Sequence, residues 1–163
     1  MSVQLMPTTE KIEFNPIGFV RTKAVGKEVR RRTHISKIIL REDLAEALDG
    51  IEEFSHLFII FFLDKVKSEE KKLKAYPRGR TDMPLLGVFA TRTANRPNPI
   101  GLALVELLNV EENVLTVRGL DAYNETPVLD IKPFDYWDTR KDAKLPEWWM
   151  ILEKERLERR EGS

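Results

Sequence analysis

The residues with the most chemistry to offer lie in one stretch, Gly87-Val88-Phe89-Ala90-Thr91-Arg92-Thr93-Ala94-Asn95-Arg96-Pro97-Asn98-Pro99-Ile100-Gly101. Arg92 is expected at the end of a strand, and Arg96 and the amide of Asn98 on the loop that follows, stiffened by Pro97 and Pro99. Each proline narrows the unfolded ensemble, so a fixed loop shape costs less to hold. A guanidinium recognises carboxylate or phosphate through a planar, two-pronged contact. An Asn amide carries one donor and one acceptor side, the pattern that reads an adenine edge. Together these groups suit a pocket for an anionic adenosine derivative. The residue types alone also allow a structural loop with exposed arginines.

A second cluster runs Asp121-Ala122-Tyr123-Asn124-Glu125-Thr126-Pro127-Val128-Leu129-Asp130-Ile131-Lys132-Pro133 and reads as a turn leading into a short strand. Turn backbone exposes N–H and C=O groups able to bind an adenine ring or an amino-acid group. Asp130, between Leu129 and Ile131, is expected to be partly buried and therefore partnered. A salt bridge to Lys132 or an arginine explains it better than catalysis does.

The remaining candidates are plainer. His56 opens an apolar run and reads as a structural histidine before a general base. His34 adjoins an arginine run and reads as polar surface. The chain has no cysteine, which removes disulfides, thiolate metal sites and thiol nucleophiles and fits a reducing cytoplasm. Its two histidines lack a carboxylate at ligand spacing, so no metal is expected. Ser36 and Ser55 have no triad neighbours. Lys plus Arg equals Asp plus Glu at 27 each, so net charge predicts no polyanion. The distribution does: Arg21 to Lys37 holds seven basic residues against Glu28 alone. Such an arm can bind phosphates in a neutral protein, although a solvated loop fits it too.

The elements that must carry these residues follow from patterning. At 163 residues with 42% hydrophobic side chains, the chain can bury a real core as one domain. Strands are expected at Phe14–Val20, His34–Leu40, His56–Leu63 (apolar enough to be buried on both faces), Leu86–Arg92, Ile100–Val110, Val114–Leu120 and Val128–Ile131. The strand over 86–92 would present Arg92 at its end. Glu111-Glu112-Asn113 should turn a hairpin, and Glu42–Leu48 should form a short helix capped by Gly50. Asp64–Lys74 reads as a charged surface loop or helical turn, and Met1–Lys11 as a loose tail. Pro146–Arg160 should be a helix that lays its apolar stripe, with Trp148 and Trp149, on the core or on a second subunit. The expected fold is mostly β, a small β-barrel with short helices and a C-terminal helix. It forms a single domain over 1–163, with its core at roughly 12–135 and a helical extension at 146–161. No alternating βαβ pattern and no G-x-G-x-x-G occurs, so a nucleotide-like cofactor would not bind by the Rossmann route. The longest apolar run, Leu57–Leu63, is too short to span a bilayer, and the first residues lack signal-peptide order. A soluble cytoplasmic protein away from membranes is expected.

Four stretches together resemble the TrmO (YaeB-like, TsaA-like domain) family: Ile17-Gly18-Phe19-Val20-Arg21-Thr22; Gly50-Ile51-Glu52-Glu53-Phe54-Ser55-His56-Leu57; Gly87 to Arg92 with Arg96 to Gly101; and Thr126 to Pro133. They cover roughly Phe14 to Phe134. The resemblance implies a homodimeric β-barrel that binds S-adenosyl-L-methionine near its subunit interface. It implies methyl transfer to the N6 nitrogen of threonylcarbamoyladenosine next to the anticodon of tRNA. By position it implies cofactor contacts from Arg92, Leu102, Asp64, Lys65, Tyr123, Asn124, Glu125 and Thr126, with Arg30 or Arg31 replacing an arginine of the family's first long loop. Substrate contacts would come from Arg96 to the carboxylate of the modified base, from Asn98, and from Arg32 in the basic arm. No residue is singled out as the base; Asp130 and Tyr123 are the candidates. This chain departs from the family where Asn124-Glu125 replaces Asp-Gly and Glu28-Val29-Arg30-Arg31-Arg32 replaces Pro-Arg-Gln. The first departure removes a residue that takes positive φ freely. It also leaves open a non-catalytic regulator that binds S-adenosylmethionine or RNA without turnover.

Overall fold

Alternation decides the architecture. The computed structural model describes residues 11–66 and 72–161; the expected N-terminal tail and part of the charged segment after Asp64 lie outside the described residues. In chain order the strands are β1 (Gly18–Arg21), β2 (Ile35–Leu40), β3 (His56–Phe62), β4 (Lys74–Ala75), β5 (Leu86–Gly87), β6 (Ile100–Glu111), β7 (Val114–Arg118) and β8 (Pro127–Pro133). Along β2, Ser36, Ile38 and Leu40 point inward while Ile35, Lys37 and Ile39 face out. Leu57, Ile59 and Phe61 of β3 and Ala103 and Val105 of β6 do the same. One buried face per strand is the condition for a sheet to wrap around its own core.

Six strands close into a barrel in the order β1-β2-β7-β6-β3-β8, with every neighbouring pair antiparallel. The β6–β7 hairpin turns at Glu112-Asn113, with Glu112 at φ 52°. The Asn113 amide Nδ2 donates to the Leu40 carbonyl at 2.6 Å and fastens the turn to β2.

Three expectations change. The strand expected over Leu86–Arg92 stops at Gly87, and β5 pairs only with β4, outside the barrel. Val88–Ala90 coils into a single 3-10 turn. There the Val88 carbonyl accepts from the Thr91 N–H at 3.1 Å and the Thr91 hydroxyl at 3.0 Å. A hydroxyl bonding locally in this way competes with a ladder. The run over His56–Leu63 is covered on its inner face only: Phe58 and Ile60 are half-buried and Phe62 is 41% exposed. The C-terminal helix, α1 (Glu147–Glu161), docks on the segment between β4 and β5 rather than on the barrel core. Arg78 Nη1 donates to the Leu152 carbonyl at 3.1 Å, and Arg80 bridges Asp82 and Glu155. The hydrogen bond from Arg80 holds the Asp82 carboxyl below the usual carboxylate range.

Antiparallel closure also sorts the loops. The ends of β1, β3 and β7 and the starts of β2, β6 and β8 share one rim. The connections 22–34, 63–99 and 119–126 therefore all emerge there, while the tight β6–β7 turn lies at the other end. Both chemistry-bearing clusters and the basic arm are on these three connections.

Gly101 on β6 has no room for a side chain. A Cβ placed on it would lie 2.3 Å from Cε2 of the buried Phe61 ring. Overpacking of this kind costs about 1–3 kcal/mol. Gly101→Ala should lower the unfolding midpoint, and adding Phe61→Leu should recover part of the loss. Equal midpoints for wild type and the single variant in a denaturant titration would contradict the packing.

Candidate active site

The rim is built on pairings that fix backbone before side chains. Leu63 N–H donates to Pro99 O at 2.7 Å, carrying the β3–β6 ladder past its last pair. Val20 N–H donates to Thr126 O at 3.0 Å and Glu125 N–H donates to Val20 O at 2.8 Å, which ties the 119–126 connection to β1. Asp64, Thr126 and Arg21 are thereby drawn to neighbouring places on one edge.

At its centre stand Asp64, Lys65 and Thr126. The Thr126 hydroxyl donates to Asp64 Oδ1 at 3.4 Å, and Lys65 Nζ donates to Asp64 Oδ2 at 2.7 Å. The Asp64 carboxylate is mostly covered while Lys65 is half exposed. The turn beside them closes through Thr126 N–H to Tyr123 O at 3.2 Å. Glu125 takes the left-handed conformation at φ 66° that the missing glycine would have held freely. Its carboxylate pairs with Arg21, and the Asn124 side-chain oxygen accepts from Thr22 N–H at 3.1 Å. The turn thus forms despite the substitution, with the Arg21 pair a contact that a glycine at 125 could not make.

On the other flank, Arg92 leaves the 3-10 turn rather than a strand end and reaches β6, where Nη2 donates to Leu102 O at 2.7 Å. Arg96 braces its own loop, with Nη1 donating to Thr91 O at 3.4 Å and Thr93 O at 3.3 Å. The backbone oxygen of Asn98 accepts from Ile100 N–H at 2.7 Å. Leu102 belongs to the outer face of β6, opposite Ile60. Arg92, Leu102, Asp64, Lys65 and the 123–126 turn therefore follow one another around β6, β3 and β8.

The basic arm is an ordered element. Residues Gly26–Arg31 form a 3-10 helix anchored by Val29, which is 1% exposed. Arg30, Arg31 and Arg32 are all exposed, and Arg31 also lines an open cleft of about 680 Å³ beside the arm, with Asn124 on its edge. His34 was expected on a polar surface; the residue is half-buried, both its ring nitrogens are shielded from solvent, and its backbone oxygen accepts from Gly119 N–H at 3.1 Å. The Ser36 hydroxyl is buried on the inner face of β2 without a hydrogen-bond partner among the described residues. A signal for this burial was present: Ser36 takes the first inward position of a strand that continues Ile38, Leu40.

The other candidates lie elsewhere. Asp130 pairs with Lys132 at 2.9 Å on the outer wall of β8, as its neighbours suggested. His56 Nδ1 bonds the Ser55 hydroxyl at 2.9 Å, and its ring stacks edge-on to Phe134 at 6.4 Å. Among the described residues there is no cluster of three or more His, Asp or Glu that could hold a metal ion.

Residues 18–139 match the sequence model of the tRNA-methyltransferase O N-terminal domain. A probable S-adenosyl-L-methionine-binding protein of Methanothermobacter thermautotrophicus is 40% identical over 129 residues, 76% of this chain and 90% of that protein. A tRNA (adenine(37)-N6)-methyltransferase of Rattus norvegicus is 38% identical over 118 residues, covering 72% of this chain and 27% of that enzyme. The crystal structure of TrmO from Pseudomonas aeruginosa superposes with a TM-score of 0.68 at 31% identity, over 90% of this chain and 63% of that one.

Glu125 gives this site its sharpest test. Glu125→Ala loses the Arg21 pair and keeps a side chain at positive φ, whereas Glu125→Gly loses the pair and relieves the backbone. The glycine variant should be the more stable of the two by about 1 kcal/mol. Thermal unfolding that ranks alanine equal to or above glycine would mean that residue 125 is not left-handed in solution.

Proposed function

The chain belongs to the tRNA-methyltransferase O family, and from that premise we propose that it is an S-adenosyl-L-methionine-dependent methyltransferase acting on N6 of the adenosine next to the anticodon of tRNA. Threonylcarbamoyladenosine is the proposed nucleoside. The observation that carries the reading is the convergence of Asp64, Lys65 and Thr126 with the 123–126 turn and the Arg92–Leu102 contact on one rim.

The donor set fits that cofactor. S-adenosylmethionine joins an adenine and a ribose to a sulfonium and an amino-acid zwitterion. Asp64 suits its positive end, Lys65 and Arg92 its carboxylate, and the turn backbone with Leu102 and Tyr123 its adenosine. When bound, the cofactor supplies a methyl already activated by a positive sulfur, which leaves positioning and electrostatics to the protein. Arg96, its loop braced by its own Nη1, is proposed to face the acidic side chain of the nucleoside together with Asn98. Arg30 or Arg31 is proposed to reach the cofactor from the first long loop, and Arg32 with the rest of the basic arm to meet RNA phosphates. The N6 nitrogen must lose a proton. Tyr123 is the better-placed acceptor, since it belongs to the rim turn, while Asp130 is already paired with Lys132 on the outer wall. The binder-without-turnover reading drew on the Asn124-Glu125 departure, and a turn that closes around Glu125 no longer favours it.

The assembly we propose is a homodimer through the outer face of β3 and β6. Cross-strand pairs Phe62–Ile100, Ile60–Leu102 and Phe58–Leu104 form an apolar ladder there. Ile100, Leu102 and Leu104 are 41–48% exposed. A contiguous apolar patch on a water-facing sheet is a mark of an interface. Leu102 lies in this ladder, so the cofactor site would adjoin the partner. Among the described residues no helix is long and apolar enough to cross a membrane, and a tRNA substrate is met in the cytoplasm.

Calorimetric titration with S-adenosylmethionine should give one site per chain. Asp64→Asn should weaken it roughly tenfold, the equivalent of about 1.4 kcal/mol. Tyr123→Phe should lower kcat with little change in cofactor affinity. No binding by the wild type would end the reading. Leu104→Arg should turn the dimer into a monomer in sedimentation velocity, and an unchanged sedimentation coefficient would exclude this face.

A further inference from the structure

The hairpin of β4 and β5 is too short to hold itself. The two strands pair only with each other, through Lys74–Gly87 and Ala75–Leu86, and neither joins the barrel. A ladder of this length is marginal without an element that covers it. Yet the loop that carries the site arginines hangs on it. Val88 N–H donates to Leu73 O at 3.0 Å, and Lys72 N–H donates to Asn95 Oδ1 at 3.4 Å. The Val88 carbonyl takes both the N–H and the hydroxyl of Thr91, whose own carbonyl accepts from Arg96 Nη1 at 3.4 Å. Arg92 follows directly and reaches Leu102 O. The hairpin thus holds the arginine loop at Val88 and again at Asn95, and itself needs outside support.

That support comes from α1, which begins at Glu147, beyond the family domain that ends at residue 139. Between the hairpin strands the chain turns through Arg78 and Gly79, both left-handed at φ 53° and 73°. The helix docks on this turn. Arg78 Nη1 donates to Leu152 O at 3.1 Å, and Arg78 Nη2 lies 3.7 Å from Glu153 Oε2. Arg80 spreads its guanidinium over Asp82 and Glu155. Met83, Val88 and Leu152 are buried, yet none belongs to the barrel core. A lone surface ion pair contributes little. A guanidinium shared by two carboxylates, beside a backbone contact and a buried leucine, is a network that holds one geometry.

Resting on the proposed function, we propose that α1 positions the Arg92–Arg96 loop for cofactor and substrate, with Arg80 as the positioning residue. Arg80 ties the 77–83 turn to the helix, the turn holds the hairpin, and the hairpin sets where Arg92 meets S-adenosylmethionine. Every step is a contact between neighbours, as a coupling of this kind requires. Arg80 itself touches neither cofactor nor RNA.

The test uses point variants of the full chain and reads amide hydrogen exchange and cofactor affinity. Leu152→Ala and Arg80→Gln should speed exchange at Val88 and Thr91 about tenfold and leave barrel amides such as Ile59 and Val105 at their wild-type rates. Asp82→Asn weakens the pair inside the turn and keeps the one to α1, so exchange should stay within about twofold of wild type. Affinity for S-adenosylmethionine should fall about fivefold in Arg80→Gln, and should fall no further when Arg80→Gln is added to Arg92→Lys, which keeps the charge and loses the fork. Unchanged exchange at Val88 and Thr91 in Leu152→Ala and Arg80→Gln overturns the proposal. A loss of affinity that adds in full to that of Arg92→Lys overturns it too. A wild type that binds no S-adenosylmethionine sinks the enzyme reading instead, and the exchange rates then decide the brace alone.

Discussion

The structure depends on one long-range pairing: β8, the last strand, inserts between β3 and β1. Val128 lies opposite Phe61 on one side and Gly18 on the other. Without that closure the sheet would end in two open edges, a state proteins of this kind avoid. With it, the end of β3 stands beside the start of β8, and Asp64 reaches Thr126 across 62 residues of sequence. The 119–126 turn, the arm after β1 and the Pro-stiffened loop before β6 then share a rim because antiparallel closure leaves them nowhere else to emerge. The scaffold fixes where chemistry is possible, and the three loops decide what it is.

Much of this was legible from residues. Apolar runs bounded by turn residues mark the barrel strands at 35–40, 56–62, 100–111 and 114–118 to within a few residues. The loops that carry Arg92, Arg96, Asn98 and Tyr123 to Thr126 are marked by proline and turn chemistry. The rest was hidden for particular reasons. Val88 and Phe89 alternate like a strand, but the Thr91 hydroxyl takes a carbonyl that a ladder would need. The outward face of β3 and β6 is as apolar as a core, and sequence cannot say whether the cover is the same chain or another. His34 looks polar and exposed beside three arginines; only the tertiary path shields its ring nitrogens.

The places where local rules fail gather at the rim and its flank. Glu125 occupies a backbone region that favours glycine, Ser36 sets a hydroxyl at a core position, and His34 buries two unpaired nitrogens. Each is a cost to folding. Glu112 in the β6–β7 turn and Arg78 beside α1 are left-handed too, but there the strain closes a tight turn and no buried polar group among the described residues is left unpaired. The unpaired buried polar groups and the strained Glu125 therefore mark the rim as the place where the fold gives up stability.

The central claim is methyl transfer at one position of one RNA. Its most direct test is to incubate the protein with S-adenosylmethionine bearing a labelled methyl group and with tRNA containing threonylcarbamoyladenosine, then to identify the nucleosides after complete digestion. The account predicts label on N6 of the threonylcarbamoyladenosine next to the anticodon and none on a transcript that lacks the modification. Label on another nucleoside, or none on RNA from a protein that binds the cofactor, would contradict it.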